Sequence, residues 1–206
     1  MQRLYPVCGR TADNVCCEIA GAMLYRAKYR TESTRLRGWD YRARGWYFVT
    51  ICSAYRRRIF GTIERAEVRL SPVGVMADAE LKAMPSHYEN VELVEHVVMP
   101  NHVHAIVIID GEHLFSPTAK MSLERAVATF SPPASGSLSA IIRSYRAGVT
   151  QRAREGRCAE DVWQAGFYDH ILRGEKVIAA VREYIRKNPE NWDKDRENLP
   201  HHSAGS

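Results

Sequence analysis

From residue 46 onward the chain alternates short apolar runs with longer stretches in which apolar residues recur every three or four positions. Trp46 to Ser53 (WYFVTICS) is aromatic and β-branched throughout and predicts a buried strand. Ser71 before Pro72 is a helix start, with Ser as cap and Pro at the first helical position, and the spacing predicts a helix to about Met84. Val91 to Met99 (VELVEHVVM) and His102 to Ile109 (HVHAIVII) read as strands. Only Pro100 and Asn101 separate them, so they pair as an antiparallel hairpin. A second long helix runs from Ser137 to about Glu155, with Ser137 or Ser139 as cap. Phe167 to Arg173 (FYDHILR) is a further strand, and a last helix spans Glu175 to Asn188. Pro189 should stop that helix, because a proline disfavours helical geometry in the residue before it.

The order strand, helix, strand, strand, helix, strand, helix predicts an α+β protein with a ferredoxin-like split βαβ core. That core is an antiparallel sheet with helices on one face, and here one C-terminal helix is added. Residues 1–30 lack periodicity and read as a loose N-terminal extension, within which Met23 is an alternative start. Residues 110–136, rich in Pro, Ser and Gly, read as an irregular insertion around a short helix near Leu123 to Ala128. Residues 31–195 form the expected domain, followed by a flexible tail at 196–206.

Charge narrows the partners. Lys and Arg number 29 against 24 Asp and Glu, and 23 of the 29 are Arg, whose planar fork suits phosphate. The excess is local: Arg26 to Arg58 holds ten basic and two acidic residues, whereas Ile59 to Gly136 holds five and ten. A polyanion is the natural partner of the first stretch, although a solvated basic face gives the same pattern. Arg35, Arg37, Arg42 and Arg44 interleave with Trp39, Tyr41 and Trp46, which combines phosphate-pairing charge with surfaces on which unpaired bases stack. Arg56, Arg57 and Arg58 form a second cluster, and Arg143 and Arg146 lie on the polar side of the second long helix. The five cysteines are Cys8, Cys16, Cys17, Cys52 and Cys158; they lack the paired spacing of structural zinc and imply no chemistry. No apolar run approaches the roughly 20 residues that span a bilayer, and the expected location is the cytoplasm.

His102 and His104 are two apart in a strand, so both side chains leave the same face with Cα atoms roughly 7 Å apart, a spacing that lets two imidazoles grip one cation. A surface pair or a hydrogen-bonded pair of histidines has the same spacing. In the last helix Val177, Ile178, Val181 and Ile185 form the apolar stripe, with Tyr184 and Asn188, four apart, along its edge. By periodicity alone Tyr184 reads first as a half-buried aromatic with its hydroxyl in solvent, and Asn188 as a helix stop.

The segments MPNHVH (Met99 to His104), VWQAGFYDHILR (Val162 to Arg173) and VREYIRKNPENW (Val181 to Trp192) together resemble the single-tyrosine HUH transposases. The likeness is to the branch associated with repetitive extragenic palindromes. Ser33 to Gly61 and Ser137 to Arg154 share it, so that it covers roughly Thr31 to Asp195. The resemblance implies that His102 and His104 are ligands of a divalent ion, Mg²⁺ or Mn²⁺, that Tyr184 is the nucleophile, and that Asn188 is the third protein ligand. Relatives that mobilise whole insertion sequences carry Gln at the position of Asn188. The implied activity is single-stranded DNA cleavage and strand transfer on hairpin DNA through a 5′-phosphotyrosine, by a monomer or homodimer. Of the other tyrosines, Tyr145 reads as a packing or DNA-contact residue, and Tyr47 and Tyr168 lie in strands. His170 shares a strand with Tyr168 and is a candidate phosphate contact or a structural histidine. Two further expectations stay open: a nucleic-acid-binding regulator without catalysis, and a water-using metallohydrolase built on the H-x-H pair alone.

Overall fold

The structure, a computed structural model, describes residues 39–110, 136–159, 161–195 and 197–198, together with the backbone of 24–25 and 29–30. The short strands β1 (Leu24–Tyr25) and β2 (Tyr29–Arg30) pair with each other. Next come β3 (Gly45–Cys52), β4 (Gly61–Glu64), β5 (Glu67–Leu70), α1 (Pro72–His87), β6 (Val91–Val98), β7 (His102–Ile109), α2 (Leu138–Glu155), β8 (Tyr168–Leu172) and α3 (Glu175–Lys187). The central sheet has the order β6-β7-β3-β8, every pair antiparallel, as the split βαβ plan requires.

The elements start where local chemistry starts them. Ser71 and Ser137 each accept a hydrogen bond from the backbone N–H three residues on, at Gly74 and Ala140, and so cap α1 and α2. α1 runs three residues past its expected end, carrying Pro85 in its last turn. α3 begins at Gly174, whose φ of 83° suits a residue without a side chain. The hairpin β4–β5 was not expected. Its strands are only four residues long, with Gly61, Ile63, Val68 and Leu70 on one face and Thr62, Glu64, Glu67 and Arg69 on the other, so the alternation is too brief to stand out.

Side-chain alternation then sorts the sheet into two faces. Tyr47, Val49, Ile51, Val103, Ala105, Val107 and Ile109 face α1 and α2, and with Leu81, Ile141, Ile142 and Val149 make the main core. Phe48, Ile106 and Leu172 face the other way and are covered by Val181 and Ile185 of α3. The sheet is therefore dry on both sides, and β7 is buried along almost its whole length. Among the described residues no helix is long and apolar enough to cross a membrane.

The segment after α3 also packs. The expected tail began at 196, yet Glu197 forms an ion pair with Arg56 and accepts at its backbone oxygen from Asn101 Nδ2 at 2.7 Å. Asn198 accepts from Arg58 at 2.8 Å. Glu197 and Asn198 are thus held by the loop after β3 and by the turn between β6 and β7.

Candidate active site

β7 sends His102 and His104 to the face that α3 covers, in register with Cys52 and Thr50 of β3. Their rings lie 4.4 Å apart between centroids, and both are buried. Each ring has its Nδ1 engaged. Asn101 Nδ2 donates to Glu197, which turns Asn101 Oδ1 toward His102 as an acceptor; it takes the Nδ1 proton at 2.8 Å. His102 Nε2 is left with a lone pair and no hydrogen-bond partner. His104 Nδ1 meets Thr50 Oγ1 at 2.9 Å, and its Nε2 lies 3.3 Å from the Tyr184 hydroxyl. With the same tautomer, His104 Nε2 accepts from the phenol. Orienting the remote nitrogen in this way is what a metal-binding histidine requires.

Three more groups complete the pocket. Tyr184 leans edge-on to Phe48, with ring centroids 6.2 Å apart. Asn188 is buried, and its Oδ1 has no hydrogen-bond partner. Pro189 was expected to force Asn188 out of helical geometry, but Asn188 keeps φ −58° and ψ −41°. That retained turn is what leaves its amide on the same helix edge as Tyr184. Asp195, which the sequence reading did not single out, is buried with Oδ2 unpartnered, 3.7 Å from His102 Nε2. One ligand atom each from His102, His104 and Asp195 fall within 4.8 Å of one another. Trp192 stacks over His102 and Arg58 lies over the Trp192 ring.

The electrostatics suit a cation. Burial, then the neighbouring His104 and Arg56, holds the His102 imidazole well below its usual range, and burial takes His104 to about 3. Both rings are therefore neutral and able to coordinate at physiological pH. Burial pushes Asp195 up to about 6, against opposing pulls from Asn188 and Arg56. Leaving one buried polar atom unpaired costs about 1–3 kcal/mol, and His102 Nε2, Asn188 Oδ1 and Asp195 Oδ2 are three such atoms in one pocket. Two neutral imidazoles, an amide oxygen and a carboxylate make a donor set that fits a divalent metal ion.

The remaining candidates are dispersed. His170 pairs with Phe48, which puts it on the His104 face of the sheet one strand beyond β3, and Tyr168 pairs with Thr50 in the same row as His104. Tyr145 is buried in the main core, in keeping with packing, and Tyr47 donates to Ala43 O at 2.8 Å. Arg56 and Arg58 hold Glu197 and Asn198, while Arg57 donates to the backbone oxygens of Ala54 and Asp161. Arg42 pairs with Asp40, and Arg44 lies 3.5 Å from Asp110. Arg146 donates to the backbone oxygens of Gln164 and Gly166. Arg143 is exposed and lines an open groove of about 700 Å³ between α2 and residues 161–167, floored by Trp163 and Phe167. Arg35, Arg37 and the short helix expected at 123–128 lie outside the described residues.

No family model matches the chain. A protein of Haemophilus influenzae of uncharacterised function is 33% identical over 168 residues, covering 82% of this chain and 93% of that one. Among solved structures, a REP-associated tyrosine transposase bound to a REP hairpin superposes with a TM-score of 0.50 at 16% identity, over 85% of this chain and 93% of the other.

Proposed function

Because the chain belongs to the same family as the Haemophilus influenzae protein and has the fold of a REP-associated tyrosine transposase, we propose that it is a metal-dependent endonuclease and strand transferase acting on single-stranded hairpin DNA. The observation that carries this reading is the phenol of Tyr184, 3.3 Å from a nitrogen of His104, beside three buried polar atoms that lack partners. A water-using hydrolase on His102 and His104 has no use for a phenol at that distance. A regulator that only binds nucleic acid has no use for the unpartnered donor atoms.

His102 and His104 through Nε2, Asn188 through Oδ1 and Asp195 through Oδ2 are the groups that would hold the ion. When bound, a divalent cation supplies Lewis acidity to the scissile phosphate and lowers the cost of ionising a nearby phenol, whose ordinary pKa is about 10. Thr50 and Asn101 keep the two rings turned with Nε2 inward. Tyr184, held against Phe48, aims its oxygen at the phosphorus and gives its proton to solvent. A bond forms between the Tyr184 oxygen and phosphorus, and the bond from phosphorus to the 3′ oxygen breaks; that oxygen takes a proton from solvent, leaving a 5′-phosphotyrosine and a 3′-hydroxyl. The ester keeps the bond energy, so attack by another strand's 3′-hydroxyl restores the phenol and rejoins DNA without a nucleotide cofactor. The imidazoles lie in β7 and the phenol in α3 of one molecule, which suits action as a monomer.

The test is incubation of the full chain with end-labelled single-stranded hairpin DNA and Mn²⁺, followed by denaturing electrophoresis. A label migrating with the protein is expected, absent with EDTA and absent for Tyr184→Phe. An adduct that survives Tyr184→Phe would overturn the nucleophile assignment.

A further inference from the structure

Resting on that reading, we infer that Glu95 is a positioning residue for the nucleophile: it clamps α3 in the one rotation that brings Tyr184 to the metal ligands. The strand sequence 91–98 reads VELVEHVV, and with Val91 facing the main core simple alternation would drive Glu95 into it too. A bulge between Leu93 and Glu95 prevents this by inserting one extra residue, so that Glu95 pairs with Ile106 and shares the face of His104 and Ile106. There its carboxylate meets Arg186 at 2.7 Å and Arg182 at 3.5 Å, both on α3, while only 19% of the Glu95 side chain is exposed.

The helix wheel shows what this clamp governs. Val177, Ile178, Val181 and Ile185 form the buried stripe. Arg182 and Arg186 lie along one edge of it, and Tyr184 and Asn188 lie along the other, about 160° around the axis. Apolar packing resists separation of α3 from the sheet but is weakly directional, so it leaves roll about the helix axis poorly determined. One carboxylate oxygen, Glu95 Oε2, set between two cations one turn apart on one edge supplies that direction. A roll of about 10° moves an atom 6 Å off the axis by about 1 Å. A displacement of that size at a reacting atom costs on the order of 100-fold in rate.

The experiment compares wild type, Glu95→Gln, and a reversed clamp in which Glu95→Arg is combined with Arg182→Glu and Arg186→Glu. Single-turnover adduct formation, the Kd for hairpin DNA, and the ¹⁹F resonance of 3-fluorotyrosine placed at position 184 are recorded for each. Glu95→Gln should form adduct about 10- to 100-fold more slowly. Its Kd should change less than twofold, its ¹⁹F resonance should shift, and the reversed clamp should recover both rate and resonance. A Glu95→Gln protein with the wild-type resonance and rate overturns the inference. So does a reversed clamp that stays as slow as Glu95→Gln. The ¹⁹F readout does not require catalysis, so an adduct persisting in Tyr184→Phe would sink the proposed nucleophile and leave the clamp to be judged by the resonance.

Discussion

At the scale of single residues, the pocket is defined by what its polar atoms lack. Asp195 has the largest consequence for pH. Its carboxyl is raised to about 6 from 3.8, so the folded chain binds that proton more tightly than the unfolded chain does. The cost of burying its charge is therefore absent below 3.8, grows between 3.8 and about 6, and is complete above that range. In EDTA, Asp195→Asn should melt at the wild-type temperature near pH 4 and above it at pH 8; scanning calorimetry at the two pH values checks this. With Mn²⁺ present the order at pH 8 should reverse, because the carboxylate is then a ligand. The histidine pair was legible in the sequence because two polar residues interrupt an otherwise apolar strand. Asp195 was not, because in the run DKDRE nothing sets one acid apart from its solvated neighbours. Internal use of Arg56, Arg57 and Arg58 was equally hidden, since a charge cluster on paper carries no record of which partners the fold brings to it.

At the scale of elements, seven of the principal strands and helices could be read from periodicity and caps because each buries a face. The β4–β5 hairpin buries only part of one short face and stayed invisible. The bulge in β6 was likewise unread, although the placement of Glu95 offers a signal in retrospect: strict alternation would have buried an acid beside Val91 and Leu93 in the main core. The contact between the hairpin region and α1 is tight enough to test. A β-carbon on Gly74 would come within 2.0 Å of the backbone oxygen of Phe60, which cannot yield as a side chain can. Gly74→Ala should therefore destabilise the chain by about 1–3 kcal/mol, measured by urea denaturation, although alanine is the better helix former. An unchanged midpoint would show that α1 and the residues before β4 separate easily.

At the scale of the whole molecule, the split βαβ order set by the four-stranded sheet was legible from the succession of elements, and the covering of both faces follows from where α3 docks. The two imidazoles are built into the middle of that sheet, whereas Asn188 and Asp195 arrive only after the last helix. Folding must therefore bring residues some ninety positions apart into one pocket. An ion that binds only the folded chain adds about 2.7 kcal/mol of stability at 100 times its Kd, so Mn²⁺ should raise the melting temperature of wild type and leave that of a His102→Ala, His104→Ala double variant unchanged.

Donor atoms drawn from both β7 and the chain's closing turn give the cation a second office as a fastener. Lys187 and Lys194 flank the stretch it would tie down. Trypsin should nick the ion-free protein there and spare the loaded one, so that occupancy of the centre can be read as the lifetime of a peptide bond on a gel, with no DNA in the tube.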